Sequence, residues 1–403
     1  MTSFDPSALL VSRSNSADEG PIIRMSQRAR ELRAKGQDVV SLTLGEPDFD
    51  TPQNIQDAAA AAMKAGFTHY SPVMGIPELR AALSKKLKTE NGLDYAAGEI
   101  CLANGAKQAI ANAMLSIIGE GDEVIMLAPF WVSYEITVRF AGGTPVVLHA
   151  GVDEGYKVPP SRIAAAITPR TKLIVLNSPS NPTGAVWTRA ELLELADIVK
   201  AHPHLMVLSD EIYEYIIFDG EMVSIGSLPG MGERTITVNG FSKGFAMTGW
   251  RLGYAAAPEP IAKAMGRMQS TISAGANAFV QRAAIAALEG PRDEVERMRL
   301  EYQRRRDMVL AGLRAIDGVK IGHIPATFYA FPDVSALLGR KAGNHVIDTT
   351  DALCDWLLEE HALATVPGTA FGAPGSLRLS FACSETEIAK AMERLQRALG
   401  SLG

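Results

Sequence analysis

Between residues 99 and 257 short apolar runs recur, each bounded by Gly, Pro, Asn or charged residues. They are "EICLANG", "DEVIMLA", "TPVVLHA", "KLIVLNS", "LMVLSDE", "TITVNG" and "RLGYAAA". They are too short for helices and rich in Val, Ile and Leu, so each predicts a buried strand. Segments with helical spacing, such as "AKQAIANAMLSIIGEG" and "TRAELLELADIVKAH", separate several of them. Strands alternating with helices predict an α/β domain with a mostly parallel sheet covered on both faces. The tail has another rhythm. "EVERMRLEYQRRRDMVLAGLRAI" predicts a long amphipathic helix, followed by "TFYAFPDV", a helix-like "TTDALCDWLLEEHA", "GSLRLSFA" and a last helix. That is a second, smaller α+β unit. Near the start, "PIIRMSQRARELRAKG" predicts a helix closed by Gly36.

Composition narrows the classes. With 403 residues, 47% hydrophobic and 21% charged, the chain has an ordinary globular profile and room for one large and one smaller domain. A net charge of −6 without a basic stretch argues against a nucleic-acid partner. Cys101, Cys354 and Cys383 are odd in number and far apart, which suits reduced, mostly buried thiols of a cytoplasmic protein rather than a metal cluster. The first twenty residues lack the basic start and apolar core of a signal peptide, and no run approaches a membrane span, so neither export nor a membrane partner is expected. His202 and His204 of "AHPH" are expected in a solvated turn.

In open α/β sheets ligands gather at the carboxyl ends of the strands. The residues after each run therefore belong together: Gly105, Ala106 and Lys107; Pro129, Phe130 and Trp131; residues 177–184; Ser209, Asp210 and Glu211; and residues 240–243. An acid directly after a buried strand, Asp210, is costly unless paired; it is either a helix N-cap or a site residue, with Tyr213 near enough to share that site. Asn181 lies in "NSPSNPTG", which is either a tight turn or a rigid loop presenting an amide. "ANGAKQAI" passes from strand to helix start, where free N–H groups and the helix dipole suit a phosphate. Arg251 can grip such a group with two parallel hydrogen bonds, and Ser242 adds a hydroxyl. Lys243, set among small and apolar residues in "TVNGFSKGFAMTGWRLGYAA", has its ammonium form disfavoured by desolvation. A neutral amine is what Schiff-base chemistry with an aldehyde needs. Phosphate cradle, amine, buried acid and an aromatic plate, Trp131, together fit pyridoxal phosphate.

The chain resembles the fold-type-I, class I/II pyridoxal-phosphate-dependent aminotransferases, and within them the prokaryotic-type aspartate aminotransferases. The likeness runs from about residue 20 to the end and is carried in order by "LGEPDFDTP", "HYSPVMGIPELR", "NGAKQAI", "APFWVSY", "ITPRTKLIVLNSPSNPTG", "SDEIYE", "NGFSKGFAMTGWRLGY", "VPGTAFG" and "LRLSFA". It implies the three-layer αβα PLP-transferase fold. Residues 49–295 would form the large cofactor-binding domain and residues 296–403 the C-terminal small domain, which the arm and helix of residues 1–48 would join. The reaction implied is transamination between an L-amino acid, aspartate first, and a 2-oxo acid such as 2-oxoglutarate, alternating through a pyridoxamine form of the cofactor. Lys243 would bond the cofactor and then shuttle the proton, Asp210 would pair with the pyridine nitrogen, and Tyr213 and Asn181 would reach the ring oxygen. Trp131 would stack on the ring, while Gly105, Ala106, Ser242 and Arg251 would hold the phosphate. Arg378 would clamp the substrate carboxylate beside the Gly45 backbone. Tyr70 would reach the phosphate of a partner subunit, which implies a homodimer with shared sites. Lys107 could bend into water, meet the phosphate or meet the substrate's distal carboxylate.

Two stretches depart from the family pattern. "NSADEGPIIRM" (residues 15–25) differs from the segment that helps close the site over acidic substrates, and Thr327 of "PATFYAF" stands where a Gly is common. Aromatic amino acids, prephenate and alanine therefore stay open as substrates. A C–S lyase would use the same cofactor residues. A ligand-sensing regulator of this build would need a DNA-binding extension, for which only about twenty polar residues precede the matched region.

Overall fold

The computed structural model describes residues 5–11, 20–343 and 345–403. All seven apolar runs form strands: β1 (Ile100–Ala103), β2 (Glu123–Ala128), β3 (Thr144–His149), β4 (Thr171–Asn177), β5 (Met206–Asp210), β6 (Thr235–Gly240) and β7 (Gly253–Ala256). Six are buried as expected; β3 is not, because it lies at the sheet edge, with Thr144 and His149 exposed and the residues between them half-buried. The seven strands make one sheet in the order β1-β7-β6-β5-β4-β2-β3. β7 runs antiparallel to both neighbours and the other pairings are parallel.

The unbroken apolar character of the central strands has a direct cause. Successive side chains face opposite sides of a sheet, and here both sides are covered. Val124 and Met126 of β2, Leu173 and Val175 of β4 and Leu208 of β5 pack with Ala109, Ala113 and Met114 of the helix Ala106–Ile117. Ile125, Ile174, Leu176 and Val207, from the same three strands, pack with Leu192, Leu195 and Val199 of the helix Arg189–Lys200. That second helix starts at a reciprocal cap: Thr188 N–H donates to Glu191 at 2.7 Å and Glu191 N–H to Thr188 Oγ1 at 3.3 Å.

The C-terminal region is built on the helices Asp293–Arg314, Thr350–His361 and Glu385–Gly400. Their neighbour is a three-stranded antiparallel sheet of Val366–Pro367, Leu377–Ser380 and Tyr329–Ala330. Val40–Ser41 pairs in parallel with Leu363–Ala364, which fastens the N-terminal segment to this region. The helix Gly20–Ala34 ends as expected: Gly36 takes φ +86°, and Gln37 N–H donates to Leu32 O at 3.2 Å. The loop after it is anchored by Arg305, which donates to both carboxylate oxygens of Asp48 at 2.7 and 2.9 Å and lies 5.1 Å from the Phe49 ring.

The hydrophobic pattern did not reveal the helices Gln53–Lys64 and Ala278–Glu289. They meet through Ile55, Ala59, Ala283, Ala284 and Ala287. Alanine favours the helix strongly but contrasts weakly with polar neighbours, so a face made of it leaves little periodic signal.

Cys101 and Cys354 are buried and Cys383 partly so, all as free thiols; burial pushes their pKa values up to about 11, 12 and 12. His202 and His204 lie in the turn after the helix Arg189–Lys200, with His204 exposed. Among the described residues no helix is long and apolar enough to cross a membrane.

Candidate active site

A cavity of about 410 Å³ opens at the carboxyl ends of the strands. Gly45, Ala106, Lys107, Trp131, Asn181, Asp210, Tyr213, Ser242, Lys243, Arg251 and Arg378, drawn from all along the sequence, line it. Gly105 adjoins it behind Arg251. Tyr70 does not reach it: the side chain is 94% exposed and faces a separate concavity beside Phe67 and Phe279.

Asp210 ends β5 and is buried. No helix follows it, so it is not an N-cap. Its Oδ2 accepts the Tyr134 hydroxyl at 2.7 Å and its Oδ1 the Ile212 N–H at 3.2 Å. Burial raises its pKa to about 6, opposed by those two hydrogen bonds and by Lys243. Such a carboxylate is poised to gain from a cationic partner. Asn177 at the end of β4 ties this point to the next loop. Its Nδ2 donates to Asp210 O and its Oδ1 accepts Asn181 N–H, both at 2.8 Å.

Lys243 follows β6 at the turn of "GFSKGF". Its ammonium donates to Gly45 O and lies 5.9 Å from the ring centres of Tyr213 and Phe328. Burial lowers its pKa to about 8, with Glu46 pulling the other way. Gly45 allows the approach of its neighbour: a Cβ there would stand 2.5 Å from Tyr329 Oη. The Tyr213 and Tyr329 hydroxyls meet at 2.9 Å, and burial keeps both phenols protonated.

Arg378 is only 2% exposed. Nη2 donates to Thr43 O at 2.6 Å and Nη1 to Asn181 Oδ1 at 3.3 Å, while the guanidinium lies 4.7 and 4.9 Å from the Tyr329 and Phe371 rings. Nε, also buried, has no partner among the described residues. A buried guanidinium with an unpaired donor suits a carboxylate ligand. Lys107 stands on the Trp131 face, 4.9 Å from the ring centre, with its pKa lowered by burial and by Arg251. Its side chain therefore faces the cavity rather than bending into water.

At the start of the helix Ala106–Ile117 the backbone is shaped for close contact. Gly105 takes φ +90°, and a Cβ there would lie 2.6 Å from Arg251 Nη2. Arg251 is held by Thr248 O at 2.9 Å and Asn104 O at 3.3 Å. The first N–H groups of a helix have no partner inside it, and Ser242 lines the same part of the site.

Asn177 belongs to the strand-end group 177–184, but nothing in the sequence singled out Tyr134, Glu46, Thr248 or Tyr329, which also line the cavity. Tyr134 had a signal, since it follows Trp131 by one helical turn. Tyr329 had none, because its place depends on the second sheet. Thr327, two residues earlier, takes φ +67° while fully buried. A β-branched residue in that region costs about 1–3 kcal/mol, so the backbone here has the glycine-like conformation although the side chain is not glycine. Residues 15–19 of the divergent N-terminal stretch lie outside the described residues; Ile22, from its remainder, brings an apolar side chain to the cavity.

The profile of aminotransferase class I and II matches residues 37–395. The chain belongs to this family. It is 44% identical to the aspartate/prephenate aminotransferase of Cereibacter sphaeroides over 93% of this chain and 94% of that one. The solved aspartate aminotransferase of Rhizobium meliloti superposes with a TM-score of 0.94 at 40% identity, covering 100% of both chains. That of Thermus thermophilus, solved with maleate, gives 0.91 at 42% identity, covering 96% of this chain and 99% of the other.

The chain is thus a pyridoxal-phosphate-dependent aminotransferase with the α/β PLP-transferase fold. Its residues fit the cofactor. The Gly105 cradle has no room for a side chain, the amine of Lys243 is desolvated, and the buried Asp210 calls for a positive partner.

Proposed function

We propose that this aminotransferase moves the amino group of L-aspartate to a 2-oxo acid such as 2-oxoglutarate. The observation that carries the reading is the pairing of two cations, Arg378 and Lys107, with a desolvated amine, Lys243, in one cavity. Two cations in one cavity suit a dicarboxylate, and the Thermus thermophilus relative was solved with maleate, a four-carbon dicarboxylate. Prephenate is the second substrate favoured, on the name of the Cereibacter sphaeroides relative. Incubation with aspartate and 2-oxoglutarate, with products separated chromatographically, tests it. Glutamate that forms only when the oxo acid is present supports transamination, whereas pyruvate, ammonia and sulfide released from cysteine without any oxo acid would point to a lyase.

When bound, pyridoxal phosphate supplies an aldehyde and a cationic ring that takes up the electron pair released at the substrate Cα. The protein's part is binding and proton movement. Gly105, Ala106, Ser242 and Arg251 hold the phosphate. Asp210, ionised, keeps the ring nitrogen protonated, and Tyr213 and Asn181 donate to the ring oxygen. Trp131 covers the ring face. Arg378 would receive the α-carboxylate and turn the Cα–H toward Lys243, whose neutral amine would take up that proton.

Lys107 is assigned to the distal carboxylate, supported by its place on Trp131 inside the cavity. A hydrogen bond to a charged group contributes about 1.5–3 kcal/mol, so Lys107→Ala should lower kcat/KM for aspartate and glutamate roughly ten- to a hundredfold. Alanine and phenylalanine should lose little, and cofactor affinity should hardly change. An equal loss for every donor would mean that Lys107 serves the phosphate or the fold instead.

The reading includes a cytoplasmic homodimer, with residues 49–295 as the large domain and residues 1–48 with 296–403 as the small one. The pairing of Val40–Ser41 with Leu363–Ala364 supports that division, and the free buried thiols suit a reducing compartment. Exposed Tyr70, with Phe67 and Ile272 37% and 55% exposed, supports an interface. Mixing Tyr70→Phe with Lys243→Ala chains should give hybrid dimers with one intact site and restored activity. Demonstrated heterodimers without any gain would show that each site is built from one chain.

A further inference from the structure

We propose that Tyr134 is a positioning residue that aims the Asp210 carboxylate at the cofactor's ring nitrogen; this rests on the reading above, in which Asp210 faces that nitrogen.

Tyr134 is the second residue of the helix Ser133–Phe140 and is 1% exposed. Its hydroxyl meets Asp210 Oδ2 at 2.7 Å, and the Ile212 N–H meets Oδ1 at 3.2 Å. With one protein donor on each oxygen, the carboxylate plane cannot turn freely. Each oxygen keeps a further acceptor site, so the acid can still receive a ring N–H. The same turn fixes the plate above the ring. Tyr134 N–H donates to Trp131 O at 3.0 Å, and the two rings meet edge to face at 5.4 Å and 89°. Tyr134 thus ties together Trp131 and the direction of the Asp210 carboxylate. The ring of Tyr134 packs in the core beside Phe130, Val138 and Val175, a place phenylalanine would fill equally. The hydroxyl has no such packing role; its partner is Asp210.

The test compares binding of pyridoxal phosphate, and of an analogue with carbon in place of the ring nitrogen, to cofactor-free full-length protein by fluorescence titration. The unsubstituted protein should prefer the natural cofactor. Tyr134→Phe should lower affinity for pyridoxal phosphate about tenfold, the loss expected for one hydrogen bond to a charged group. Affinity for the analogue should stay within about twofold, because Asp210 then has no nitrogen to hold; that binding also reports that the variant is folded. In the loaded enzyme kcat for aspartate should fall with little change in KM. If the Tyr134→Phe chain does not fold, Tyr134→Met, which fills irregular space, is read in the same way. Equal losses for both ligands, or none for either, would overturn the proposal. Asp210→Asn separates the two readings. If it leaves the preference for the natural cofactor unchanged, the placement of Asp210 at the ring nitrogen fails. If it abolishes the preference and Tyr134→Phe does not reduce it, the role of Tyr134 alone fails.

Discussion

Lys243→Ala is expected to lower turnover with aspartate by about four orders of magnitude, the upper end of what a positioned acid–base group contributes. The protein should still bind pyridoxal phosphate, because the substitution leaves in place Gly105, Ser242 and Arg251, the residues proposed to hold the phosphate. It should no longer form a borohydride-reducible bond to it. The reason is local. Burial, with the charges of Arg378 and Arg251 and against those of Glu46 and Asp210, brings the Lys243 amine down to about 8 from 10.5. The neutral amine, the form that the proposed role of nucleophile and base requires, is therefore abundant near pH 8 and disappears as the pH falls below it. In the cofactor-free protein the rate of imine formation with an aldehyde should rise through pH about 8 and level off above it. A reducible linkage that survives in Lys243→Ala, or a rate that rises only near 10.5, would remove Lys243 from this role.

The second large effect concerns Arg378. Two charge-assisted hydrogen bonds to a substrate carboxylate, at about 1.5–3 kcal/mol each, correspond to roughly a hundred- to ten-thousandfold in kcat/KM. Arg378→Leu should lose that factor with every amino acid donor, acidic or not, since the α-carboxylate is common to all. A primary amine without a carboxylate should react no more slowly than with the unsubstituted enzyme. Cofactor affinity and colour should be retained, because Arg378 reaches the cavity from the second sheet rather than from the phosphate cradle. The contrast with Lys107→Ala is the control: one loss is general, the other confined to dicarboxylates. Leucine leaves Thr43 O without its donor, at a cost of about 1–3 kcal/mol of stability, so the melting temperature of each variant belongs beside the kinetics. A loss confined to acidic donors would place Arg378 at the distal carboxylate instead.

The sequence by itself determined the sheet. Six of the seven strands show as apolar runs because most of their residues are buried, a requirement that acts residue by residue along the chain; the edge strand β3 shows one although it is only half-buried. It also placed Lys243, Asp210, Asn181 and the Gly105 turn near one another, since strand ends of a parallel sheet converge. The Thr188–Glu191 cap and the Gly36 stop were equally local. What only the tertiary structure decided were partnerships between distant segments. Tyr134 meets Asp210 across 76 positions, Lys243 meets Gly45 across 198, and Arg378 meets Thr43 across 335. Hydrophobic periodicity records which side of an element is dry, and it is the same whichever partner lies there. The identity of the partner follows from how the loops close and how the second sheet seats Tyr329 and Arg378, and neither leaves a local pattern. The left-handed backbone at Thr327 is of the same kind: a glycine would have announced it, but here the packing around a buried threonine imposes the conformation.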